Sequence, residues 1–97
     1  MNVLSVSRRE YRILDLLINT GEMFGLQLVY EAPAELPRGT VYVTLQRMTK
    51  KGLVASRLVP DPACGPARRM YRATGRGYRM YMALRHEASE LAGGRRQ

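Results

Sequence analysis

A chain of 97 residues can enclose one hydrophobic core and leaves no room for a second, catalytic domain. Its 45% hydrophobic and 25% charged residues exclude intrinsic disorder along most of the length, and no apolar run approaches the roughly eighteen residues of a membrane span. Sixteen Lys and Arg oppose eight Asp and Glu, a formal net charge of +8 that excludes an electrostatically neutral surface.

The first element is marked by its cap. Ser7 followed three residues later by Glu10 forms a capping box, with Val6 and Tyr11 placed as the hydrophobic staple, so a helix is predicted from about residue 8. Tyr11, Leu14 and Ile18, flanked by Ile13 and Leu17, recur at helical spacing until Asn19-Thr20-Gly21 supplies a stop. A shorter pattern of Phe24, Leu26, Leu28 and Val29 predicts a brief second helix from about Met23 to Pro33. Residues 33–39 read as a turn, after which the Thr40 hydroxyl is expected to cap a third helix over about 41–51, ended by Gly52.

Beyond Gly52 the period changes. Residues 53–59 and 68–73 predict two strands of a hairpin around the proline-rich loop 60–66. Thr74, Gly75 and Gly77 then open a last helix, in which Gly77, Tyr81, Leu84, Ala88 and Leu91 fall at alternating steps of four and three. The chain is expected to form one domain over 1–92, its terminal helix at about 74–92, followed by a disordered basic tail at 93–97.

Three helices, a hairpin and a long terminal helix predict a mainly α fold with a small β-hairpin (α+β): a winged helix-turn-helix with a C-terminal dimerisation helix. In that arrangement the third helix enters the major groove of double-stranded DNA. Val41, Leu45 and Met48 share its apolar face, and Val43, Gln46, Arg47 and Lys50 lie opposite. Gln pairs with adenine and Arg with guanine through two hydrogen bonds, and a valine suits a thymine methyl. Thr40 and the Tyr42 hydroxyl are placed for phosphate. Between residues 37 and 86 eleven Lys and Arg meet one acid, Asp61. Arg38, Arg57, Arg68, Arg69 and Arg72 of that set fall beside the third helix or on the wing, so a nucleic acid is favoured over mere solubility or an anionic membrane.

The stretch from Leu36 to Met48, followed by Lys51-Gly52-Leu53-Val54, resembles the signature of PadR-type regulators. Phe24-Gly25-Leu26 is similar to that family's entry to helix 2, and Arg68 to Gly77 to its third strand and the start of its last helix. Val43 departs from the family's common proline, and Gly75-Arg76 from its usual acidic-small pair. The resemblance implies a repressor that binds a palindromic operator as a homodimer, with helix 1 and the terminal helix as the interface. Tyr11, Tyr81, Leu84, Ala88 and Leu91 are its expected contacts. The alternative is that Tyr81 and Leu84 fold back over helix 1 of the same chain.

Other readings of the same fold are an architectural or accessory factor of a mobile element, which would bend DNA at phased repeats, and a protein-interaction module. An enzyme is not expected: His86 stands alone near Glu87 and Glu90, and no serine has a nucleophile elbow around it. Cys64 is the single cysteine, which removes an internal disulfide and structural zinc, and no cofactor is expected. Exposed in the loop, it would be at most a thiol sensor. The methionines read as core and interface filler that leaves room for a small hydrophobic effector. Residues 1–6 lack the basic region and cleavage site of a secretory leader, so the expected location is cytoplasmic and associated with the nucleoid.

Overall fold

Ser7 accepts the Glu10 amide at 3.2 Å while the Glu10 carboxylate accepts the Ser7 amide at 2.9 Å, so α1 (Arg8–Thr20) begins at the capping box. In this computed structural model, residues 5–32 and 36–93 are described, with side chains as far as residue 87. The remaining elements are β1 (Met23–Phe24), α2 (Gly25–Glu31), α3 (Arg38–Lys50), β2 (Val54–Val59), β3 (Arg68–Ala73) and α4 (Gly75–Gly93).

α1 buries Ile13, Leu14 and Leu17 against Leu28 of α2, Val41, Leu45 and Met48 of α3, and Leu53 and Val54 at the entry to β2. α3 closes as a Schellman motif. Gly52, at φ 77°, donates to the Thr49 carbonyl at 3.0 Å, and Leu53 donates to that of Met48 at 2.9 Å, which turns the chain into β2.

The sheet is antiparallel in the order β1-β3-β2. Its register pairs Tyr71 with both Met23 and Ser56, and Met70 with both Phe24 and Arg57. Strand alternation therefore divides the wing. Val54, Ser56, Leu58, Arg69, Tyr71 and Ala73 take the face turned towards the helices, and Ala55, Arg57, Val59, Arg68, Met70 and Arg72 the other.

Three expectations are corrected. The hairpin is one part of a three-stranded sheet, because the start expected for helix 2 is the strand β1, paired with β3 before α2 begins at Gly25. α3 begins at Arg38, with Pro37 as its extended N-cap residue, so Thr40 lies inside the first turn rather than capping it. Tyr81 is not free to meet a second chain. It is 3% exposed, stacks on Tyr11 with ring centroids 5.0 Å apart, and donates its hydroxyl to Asp15 of α1. Gly77 seats this end of α4, since a Cβ there would come within 2.1 Å of the Leu53 carbonyl oxygen.

Leu84 is half-buried and stands apart from the core cluster, while Tyr78 and Met82 are exposed. The side chains of Ala88 and Leu91, and residues 94–97, for which a tail without structure is expected, lie outside the described residues. Among the described residues no helix is long and apolar enough to cross a membrane, and no group of three or more His, Cys, Asp or Glu is placed to hold a metal ion.

Candidate nucleic-acid interface

The buried stripe of α3 comprises Val41, Thr44, Leu45 and Met48. Its opposite face presents Val43, Gln46, Arg47 and Lys50 to solvent, and Val43 is 49% exposed although apolar. Thr44 keeps its hydroxyl within the helix, donating to the Thr40 carbonyl at 2.6 Å. The groups free to reach outward are thus two long cations, one amide and one aliphatic side chain, the set that can read base edges.

Each flank of α3 carries an open cleft. On the wing side, a cleft of about 400 Å³ has Arg38 and Tyr42 on one wall and Arg68, Arg69 and Tyr71 on the other. The Tyr42 ring lies over Gly25, where a Cβ would come within 2.9 Å of it, so a larger first residue of α2 would displace the ring. Arg69 is steadied by donation to the Ser56 hydroxyl at 2.9 Å, and Arg68 sits 5.4 Å from the Phe24 ring centroid, near Asp61 at 3.9 Å. Burial pushes the Tyr71 hydroxyl, which also lines this cleft, above its ordinary pKa.

On the other flank, Arg9 of α1 faces Thr40, Val43, Thr44 and Arg47 around a cleft of about 480 Å³. A neighbouring cleft of about 320 Å³ adds Ser7 and Arg8.

The structure therefore gathers Arg38, Thr40, Tyr42, Val43, Gln46, Arg47, Lys50, Arg68 and Arg69 along α3 and its flanks. Arg57 and Arg72 do not join them: they stay on the far face of the sheet, whereas Arg68, on the same face but at the end of β3, lies over the Phe24 ring beside the wing-side cleft. Arg57 is engaged there by Glu22, with Nη2 2.9 Å from Oε1. That hydrogen bond holds the Glu22 carboxyl below its usual range and raises the arginine. Arg8 and Arg9 are cations beside α3 that the sequence did not point to. The adjacent pair is plain in the sequence, but only the packing of α1 on α3 brings it to the flank of α3.

A family model described as the transcriptional regulator PadR-like family matches residues 13–83. Similar solved structures include Bacillus subtilis PadR in complex with operator DNA, 24% identical with a TM-score of 0.66, covering 76% of this chain. This chain spans 44% of the length of that protein. A PadR family transcriptional regulator from Eggerthella lenta DSM 2243 is 25% identical with a TM-score of 0.69, covering 90% of this chain and 80% of its own. A protein of Enterococcus faecalis V583 described as a transcriptional regulator of the MarR family is 24% identical with a TM-score of 0.73, covering 91% and 78%. No curated protein matches the chain.

Proposed function

From the premise that the chain belongs to the PadR-like family of transcriptional regulators, we propose that it is a sequence-specific DNA-binding repressor that acts as a homodimer on a palindromic operator. The observation that carries this reading is the outer face of α3, where Val43, Gln46, Arg47 and Lys50 stand exposed between two clefts lined by arginine. Gln46 and Arg47 read base edges, and Val43 meets a thymine methyl. Arg38, Thr40, Tyr42, Arg68 and Arg69 hold phosphate and fix the register of the helix in the groove. The dimer uses α1 and the outer stripe of α4 around Leu84, and the working location is on cytoplasmic DNA.

Affinity for duplex DNA measured against salt tests this reading. A dimer that neutralises several phosphates loses affinity with a logarithmic slope of about −5 or steeper. Gln46→Ala or Arg47→Ala relaxes base preference, whereas Arg68→Ala or Arg69→Ala weakens all sequences about equally. A flat salt response, or the same loss of selectivity from both pairs, contradicts the assignment.

A further inference from the structure

The two sides of α3 differ in what the sequence offers them. The wing side carries Arg68 and Arg69, and the other side is bounded by the first turn of α1. Arg8 and Arg9 are exposed there, and neither makes an ion pair or hydrogen bond among the described residues. Neither nearby acid neutralises them, and Asp15, which lines a separate cleft with Arg8, is engaged by Tyr81 and Asn19. Glu10 is 2% exposed and committed to the Lys51 ammonium at 2.9 and 3.0 Å and to the Ser7 amide. Thr44, between Arg9 and Arg47, turns its hydroxyl back to the Thr40 carbonyl. What faces solvent in the paired clefts is three guanidinium groups, Arg8, Arg9 and Arg47, with no carboxylate lining either cleft.

The major groove is about 12 Å wide and walled by a phosphate backbone on each side, so a helix lying in it has an anionic strand along both flanks. We infer that Arg8 and Arg9 form a second phosphate clamp, on the DNA strand across the groove from the one held by the wing arginines. The inference rests on the proposal that α3 enters the major groove. Arginine suits the task because its planar fork matches phosphate in two-point contact and stays charged at every working pH. With one strand held by Arg68 and Arg69 and the other by Arg8 and Arg9, the tilt of α3 is fixed from both sides while Gln46 and Arg47 remain free to read bases. The pair also joins α1 directly to the DNA.

The double variant Arg8→Gln/Arg9→Gln keeps helix-forming side chains, and Arg8→Lys/Arg9→Lys keeps the charge. Both are compared with wild type by fluorescence anisotropy on a random-sequence duplex of about three helical turns, titrated with potassium chloride, and with thermal melting recorded alongside. Loss of two phosphate contacts makes the logarithmic salt slope shallower by about 1.8 per bound chain in the Gln variant, with melting unchanged and the slope retained in the Lys variant. A Gln variant with the wild-type slope, beside a steep wild type, overturns the clamp and leaves the DNA reading standing. A wild type with a flat slope overturns the DNA reading, and the clamp with it. Should the Gln variant melt early, the Arg8→Ala and Arg9→Ala single variants carry the measurement, each expected to remove about half of the change in slope.

Discussion

Glu10 closes the N-terminus of α1 through the capping box and, with the same carboxylate, holds the Lys51 ammonium at the C-terminus of α3. Lys51 also donates to the Ser5 carbonyl at 2.8 Å, so the segment before α1 is tied to the end of α3. Removing one partner of a buried pair leaves the other uncompensated, at a cost of about 3 kcal/mol, towards the lower end of the usual range because Lys51 is partly exposed. Lys51→Met should therefore lower stability by about that amount in urea unfolding, and Glu10→Gln added to it, which removes the buried charge but keeps an acceptor for the Ser7 amide, should restore most of the loss. An additive double variant would show that the two groups act separately. The sequence marks Glu10 as a cap but gives no sign of its second partner, because 41 residues separate the pair and only folding brings them together.

Tyr81 offers a test by pH. Its hydrogen bond to Asp15, followed by burial, raises its pKa, so the folded chain keeps that phenolic proton to higher pH than the unfolded chain. The stabilisation is complete below the ordinary tyrosine value of about 10 and is lost as pH rises through the folded value. Tyr81→Phe should cost about 1 kcal/mol at neutral pH and should flatten the fall in melting temperature on the alkaline side. An unchanged alkaline profile would contradict the assignment.

At the scale of elements, legibility follows the range of the interaction that forms each one. α1 and the end of α3 are readable because the capping box and the glycine turn are local devices. β2 and β3 are readable from their composition and the proline-rich loop between them. β1 is not, because its two residues are a strand only through pairing with Tyr71 and Met70. Tyr81 illustrates the same limit: heptad spacing identifies an apolar stripe, but not whether the partner lies in the same chain. Gly77 of α4 lies against the Leu53 carbonyl, just before β2. Gly77→Ala forces the helix away from the Leu53 carbonyl, with an expected loss of about 2–3 kcal/mol in thermal unfolding. A neutral substitution would show that the contact relaxes freely.

For the whole molecule, the sequence shows how much positive charge there is, and the fold decides where it acts. The arginines of 57 and 72 are carried to the back of the sheet, and those of 8 and 9 to the flank of α3. Small domains of this kind reach operator-level specificity by pairing, which sets two reading helices one turn of DNA apart, roughly 34 Å. Leu84 is half-buried outside the core, so Leu84→Glu is expected to yield folded monomers by sedimentation, with weakened DNA binding. An unfolded variant would place Leu84 in the intramolecular core instead.

The most direct test of the central claim, that α3 reads DNA sequence as one half of a two-fold pair, is selection of binding sites from random duplex DNA by the full chain. The account predicts enrichment of an inverted repeat whose half-site centres lie about 10 base pairs apart, with the positions facing Gln46 and Arg47 losing their preference in the corresponding alanine variants. A selected pool without a shared sequence, or an asymmetric single site with preferences indifferent to Gln46 and Arg47, would contradict it.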